Sequence, residues 1–157
     1  MIRRRIYVDT SVIGGCHDSE FRMASNLLFE QFRSGRAVAV VSDLTLEELE
    51  GAPENVQAVL AGLPSGSVEH VYLGDDAMAL ADHYIAEGVV GPGSLADARQ
   101  IAIATLSKVD VIVSWNYKHI VNLNRIQLFA ATNLRQGLTT PEIRSPLEVL
   151  NKDEEAV

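Results

Sequence analysis

Apolar positions along this chain fall into two spacings. Continuous runs at 6–8, 37–41 and 111–113 have the pattern of strands buried on both faces. Between them the spacing turns helical. Ala24, Leu27, Leu28 and Phe32 form one stripe ahead of Gly35, and Ser42 or Asp43 caps a short helix ending near Gly51. Pro53 suits the first turn of the next helix, which carries Val56, Val59 and Leu60. Residues 68–73 read as a third strand, and Met78, Ala81, Tyr84 and Ile85 mark a helix over 75–87 that Gly88 ends. A loop at 89–93 leads into a helix over 94–108. Ile126, Phe129, Ala130 and Leu134 mark a late helix closed by Gly137, and residues 142–145 form a short edge strand. Strands alternating with helices predict an α/β three-layer sandwich. Its mainly parallel sheet has four or five strands, with helices on both faces. No repeat, low-complexity tract or long linker interrupts the pattern. One domain is expected over residues 1–150, with residues 151–157 as an acidic, solvated tail.

Composition narrows the classes. The 157 residues are ample for one core, and a hydrophobic share of 47% with 22% charged residues is ordinary for a globular protein. Cys16 is the sole cysteine, which excludes an internal disulfide and a cysteine metal cage. It reads as a small core or loop residue, and a reducing cytoplasm is the expected location. Arg3, Arg4 and Arg5 precede only three apolar residues before Asp9, too few for a signal peptide. They read as a solvated start to the first strand. No run approaches the roughly 20 apolar residues of a membrane span, so no membrane partner is expected. The net charge of −8 argues against broad adhesion to nucleic acid. It suits a carboxylate cluster whose bound cations invert the local field.

The candidate chemistry is carboxylate chemistry. Asp9 ends the first strand, where open α/β sheets place their ligands; the plainer role is a helix cap or turn former. Thr10 and Ser11 can hold Asp9 or a metal-bound water, or they can cap the next turn, and the sequence leaves both open. With Leu46 and Leu49 as the buried face of the short helix, Glu47 and Glu48 lie symmetrically beside it, so periodicity does not choose between them. Asp97 continues the stripe of Ile101 and Ala104, where a carboxylate needs a partner such as a cation. Ser94 to Asp97 also fits a capping box, and both roles can hold. Asn116 follows the fourth strand. Asp110 precedes that strand, at the opposite edge of the sheet. His17, His70, His83 and His119 lack metal-ligand spacing. Arg99, Lys118, His119 and Arg125 are candidate phosphate contacts, or plain surface and turn residues. No glycine-rich phosphate loop is present.

Four segments occur in a telling order: Tyr7-Val8-Asp9-Thr10-Ser11-Val12-Ile13, Thr45-Leu46-Glu47-Glu48-Leu49, Asp97-Ala98-Arg99-Gln100-Ile101-Ala102 and Val113-Ser114-Trp115-Asn116-Tyr117-Lys118-His119-Ile120. In this order they resemble the motifs of the PIN-domain ribonucleases, the family that includes the VapC-type toxins of toxin–antitoxin pairs. The resemblance implies a PIN-like fold and hydrolysis of RNA phosphodiester bonds with Mg²⁺ or Mn²⁺. It selects Glu48 over Glu47 and makes Asp9, Glu48 and Asp97 metal ligands, with Asn116 assisting catalysis. Thr10, Ser11, Arg99, Lys118 and His119 become substrate contacts. RNA, an antitoxin protein and a second copy of the chain are the implied partners. Asn116 stands where the family commonly has another Asp, which leaves one or two metal ions open. The competing reading is a non-catalytic PIN-like module that binds RNA or protein. A small-molecule α/β enzyme is disfavoured by the missing phosphate loops.

Overall fold

A computed structural model describes the backbone of residues 2–155 and the side chains of residues 2–151. In chain order the elements are β1 (Arg4–Val8), α1 (Thr10–Gly15), α2 (Arg22–Arg33), β2 (Ala37–Ser42), α3 (Asp43–Glu50) and α4 (Glu54–Ala61). There follow β3 (Val68–Val71), α5 (Asp75–Ala86), α6 (Leu95–Leu106), β4 (Val111–Val113), α7 (Leu123–Arg135), β5 (Glu142–Arg144) and α8 (Pro146–Glu155). All strand pairs are parallel, in the order β3-β2-β1-β4-β5.

The central strand β1 shows why the sheet must be covered twice. Ile6 and Val8 pack on one side with Leu28, Phe29 and Phe32 of α2, and with Val12 and Ile13 of α1. Tyr7 points the other way, into a core with Tyr84 of α5, Ile101 of α6 and Phe129 of α7. Alternation along one strand therefore feeds two helical layers. The expected three-layer α/β architecture is present, with five strands.

Several local expectations shift. Leu27 and Leu134 are exposed, at 54% and 76%. The buried stripe of α2 runs instead through Ala24, Ser25, Leu28, Phe29 and Phe32, because Ser25 enters the core to bond the Val12 carbonyl. Arg5 is not simply solvated: it pairs with Glu69 of β3 and donates to the carbonyls of Ser107 and Lys108, while Arg3 donates to the Gly66 carbonyl. Residues 151–155 continue α8 rather than forming a loose tail; residues 156–157 lie outside the described residues. Helix α8 opens with a reciprocal cap, Glu148 N on Ser145 Oγ and Ser145 N on the Glu148 carboxylate, each 3.2 Å. Asp110 lies at the amino-terminal edge of the sheet, where Arg5 N bonds its carboxylate at 2.8 Å.

The buried acids of the core set an alkaline limit. Burial pushes the Cys16 thiol up to about 11 and the Tyr84 phenol up to about 12, and raises the Tyr7 phenol as well. Cys16 is thus an inert core residue, as expected. The unfolded chain loses these protons before the folded one, so stability holds below their ordinary values of 9.0 and 10.0 and falls above them. Melting temperatures measured from roughly pH 8 to 11 should decline progressively above pH 9.

Candidate functional site

The order of the strands fixes where a site can form. From β1 the chain moves outward through β2 to β3, then returns to the other side of β1 for β4 and β5. The direction reverses between β1 and β4, and their carboxyl ends flank the crevice where such sheets hold ligands. Asp9 follows β1, and Ser114, Trp115 and Asn116 follow β4.

Asp9 is 7% exposed. It stands at the N-cap position of α1 with an extended backbone, yet its side chain makes no capping bond. Its Oδ2 instead accepts from Ser11 Oγ at 2.7 Å and from Ser114 Oγ at 2.8 Å. Those hydroxyls are themselves held, accepting from Trp115 N and Asn116 N at 3.0 Å each. With both protons aimed at Oδ2, Asp9 Oδ1 is left with no hydrogen bond among the described residues. Of the two roles open to Ser11, it takes the holding of Asp9.

Helix α3 distinguishes the adjacent glutamates. Thr45 and Leu49 are its buried positions, while Leu46 is 39% exposed. The expected Leu46–Leu49 face is therefore rotated, because Thr45 turns inward to close a reciprocal cap with Ser42. Glu48 sits three residues beyond Thr45, and its Oε1 accepts from Gln100 Nε2 of α6 at 3.0 Å. The Glu47 side chain is exposed and makes no hydrogen bond or ion pair among the described residues.

Asp97 lies half-buried in the first turn of α6. Ser94 makes no side-chain capping bond there, so the capping box is not formed. Asn116 Nδ2 donates to Asp97 Oδ2 at 3.3 Å. Burial raises the Asp97 carboxyl above its ordinary value, and the negative charge of Asp9 adds to this. His119 opposes the shift, Glu48 reinforces it and the Asn116 hydrogen bond opposes it. Asp97 thus lies in the electric field of both Asp9 and Glu48. Asn116 spends its Oδ1 on the turn, accepting from Lys118 N at 3.2 Å and His119 N at 2.9 Å. Its amide hydrogens, not its carbonyl, face the acids.

The remaining candidates divide. Thr10 Oγ1, Arg99 Nε and His119 Nδ1 are buried polar atoms without a hydrogen-bond partner among the described residues, a condition native proteins rarely tolerate without cause. Thr10 adjoins Asp9 in the chain, Arg99 is two residues from Asp97, and His119 acts on Asp97 through its charge. Lys118 is exposed. Arg125 is engaged elsewhere, donating to the Val89 carbonyl. His17, His70 and His83 are exposed. As the side chains stand, no three His, Cys, Asp or Glu among the described residues meet closely enough to hold a metal ion.

Sequence reasoning did not find Ser114, Gln100 and Tyr7. Tyr7 Oη bonds Ser42 Oγ at 2.7 Å and donates to Gln100 Oε1. A phenol inside an apolar strand and an amide within the largely buried Ala98–Thr105 stretch of α6 were the available signals, since each must find a buried partner.

No protein-family model matches the sequence, and no curated protein does so significantly. Solved structures do match. VapC20 of Mycobacterium tuberculosis, a sarcin–ricin loop cleaving toxin, is 18% identical with a TM-score of 0.57 over 73% of this chain and 92% of its own. VapBC2 from Rickettsia felis, bound to a DNA fragment from its promoter, is 15% identical with a TM-score of 0.53, covering 90% of this chain and 98% of its own. The fold is PIN-like. The PIN-like likeness extends over most of the chain, and at these identities it establishes architecture alone. No helix among the described residues is long and apolar enough to cross a membrane.

Proposed function

We propose that this PIN-like protein is a metal-dependent endoribonuclease. One observation carries the reading: each of the three carboxylates has one oxygen held by a neutral donor and the other without a hydrogen bond among the described residues. Asp9 is held by two serines, Glu48 by Gln100 and Asp97 by Asn116. Among the described residues no Lys or Arg pairs with any of them. Three hard oxygens with no cationic side chain between them suit Mg²⁺ or Mn²⁺ in kind. The Asp97 carboxyl is raised first by burial and then by the negative charge of Asp9, and a bound cation would relieve both.

In this reading Asp9, Glu48 and Asp97 would hold the cation. A bound divalent ion supplies Lewis acidity and charge neutralisation at the scissile phosphate. The chain's own residues do the rest. Ser11 and Ser114 fix Asp9, Asn116 fixes Asp97 and the turn that presents His119, and Arg99, His119 and Thr10, close to the acids, are the candidate contacts to RNA phosphate. Lys118 extends that set at the rim. In the hydrolysis, water would attack phosphorus in line, forming a new P–O bond as the P–O bond on the opposite side breaks, with the proton the water loses passed through solvent to the leaving nucleotide oxygen. RNA as substrate is supported by the motif resemblance and by the sarcin–ricin loop cleaving neighbour. The toxin reading, with an antitoxin partner, a second copy and a cytoplasmic site of action, draws on the same resemblance.

Glu48→Gln and Glu47→Gln test the assignment in one assay of RNA cleavage with Mn²⁺. Glu48→Gln should lose on the order of a hundredfold in rate, the scale of a few kcal/mol of charge stabilisation. Glu47→Gln should match the parent. Equal, mild effects would place both glutamates on a solvated face. A parent protein that binds RNA but leaves it intact with Mn²⁺ would favour the non-catalytic module.

A further inference from the structure

A buried hydrogen-bonded chain leads from the core of the sheet to the acid site, and its proton order can be deduced. Glu48 as a carboxylate can only accept, so the Gln100 group beside it must be the amide Nε2. Gln100 Oε1 then faces Tyr7, whose single hydroxyl proton goes to it. Tyr7 has no proton left for Ser42, so Ser42 Oγ donates to Tyr7 Oη across their 2.7 Å contact. Every proton therefore points the same way, from Ser42 through Tyr7 and Gln100 to Glu48. Tyr7 and Ser42 are fully buried and Gln100 is 1% exposed. Such a chain has no water to fall back on if a link is broken.

We infer that Gln100 is a positioning residue for the acid site: seated by Tyr7 and Ser42, it orients the Glu48 carboxylate by one oxygen and leaves the other open to a ligand. The inference rests on the reading that Glu48 belongs to a cation-binding site. It assigns work to an amide that three elements combine to place. β1 supplies Tyr7, the end of β2 supplies Ser42, and α6 supplies Gln100 three residues beyond Asp97. Glu48 is an exposed residue on a short helix. Without this bond its long side chain has nothing among the described residues to hold it.

Variants separate positioning from plain stability. Gln100→Met keeps the side-chain length, removes both polar atoms and strands the buried Tyr7 hydroxyl. It should melt about 5 °C below the parent in chelator. Adding Tyr7→Phe removes the stranded hydroxyl, leaves Ser42 Oγ the Thr45 hydroxyl at 3.5 Å as acceptor, and should recover part of that loss. Mn²⁺ alone, titrated calorimetrically, should still bind the double variant about tenfold more weakly than the parent, the usual scale for losing a group that orients a ligand. Recovered melting together with parental Mn²⁺ affinity would overturn the proposal. A second readout needs no metal. The side-chain amide resonances of Gln100 should move in Glu48→Gln and stay in Glu47→Gln. If they stay in both, Gln100 does not hold Glu48 and the proposal fails. If they move while the parent binds no Mn²⁺, the positioning stands and the metal reading alone falls.

Discussion

Asp9→Asn is expected to remove RNA cleavage, by on the order of a thousandfold or more, while leaving the protein folded. The amide carbonyl can take the place of Oδ2 and accept from both Ser11 and Ser114, so the local network survives. The amide nitrogen then occupies the place of Oδ1, turning the open acceptor into a donor that cannot ligate a cation. One negative charge also leaves the neighbourhood of Asp97, whose carboxyl is raised in part by Asp9. In chelator the variant should therefore melt at or above the parent. With Mn²⁺ the order should invert, since the parent gains stability through binding and the variant does not. Melting curves in the two conditions, beside a cleavage assay, make the comparison. A variant that melts far below the parent in chelator would make Asp9 a structural residue. One that cleaves at the parental rate would remove it from catalysis.

The second large effect is on stability. Gly15→Ala should lower the melting temperature by about 8 °C, from roughly 2–3 kcal/mol of overpacking and lost hydrogen bonding. A Cβ on Gly15 would lie 2.5 Å from Ser25 Oγ and 2.8 Å from Trp115 Nε1. Neither neighbour is free to yield. Ser25 Oγ accepts from Trp115 Nε1 at 2.9 Å and donates to the Val12 carbonyl at 2.9 Å, and the Trp115 ring stacks on Phe21 at 4.3 Å. The added methyl must break this network or push α1 away from α2. Gly14→Ala, where a Cβ meets nothing within 4 Å, is the control and should melt as the parent does. Equal melting of the two variants would show that α1 does not pack as described.

What the sequence disclosed follows from which forces act locally. The strands were legible because a strand covered on both faces must be apolar throughout, as 37–41 and 111–113 are. Asp9 stood out because an acid closes such a run, although the sequence alone left a capping role open, and the structure gives its side chain no capping bond. Helix α1 was not, since six residues ending in Gly14 and Gly15 carry too little periodicity to register. Helix α8 was not read, and its end from residue 151 was taken for a tail on its acidic composition, although Ser145-Pro146-Leu147-Glu148 holds a reciprocal cap and a proline in the first turn. The glutamates of α3 were ambiguous because hydrophobicity favoured Leu46 as the inward residue. A capping bond to Ser42 turned Thr45 inward instead. Ser114, Gln100 and Tyr7 could not be found from spacing. Ser114 bonds Asp9 across 105 positions, Gln100 bonds Glu48 across 52, and Tyr7 reaches Gln100 across 93. Only the strand order brings those pairs together.

The free oxygens of Asp9, Glu48 and Asp97 are expected to take a divalent cation. Crystals of chelator-stripped protein soaked in Mn²⁺ and measured at the manganese absorption edge test it most directly. The predicted result is an anomalous peak at the carboxyl ends of β1 and β4, about 2.1 Å from Asp9 Oδ1 and within reach of Asp97 and Glu48. An acid cluster without a peak under excess Mn²⁺, in crystals whose three carboxylates keep their present hydrogen bonds, would contradict it.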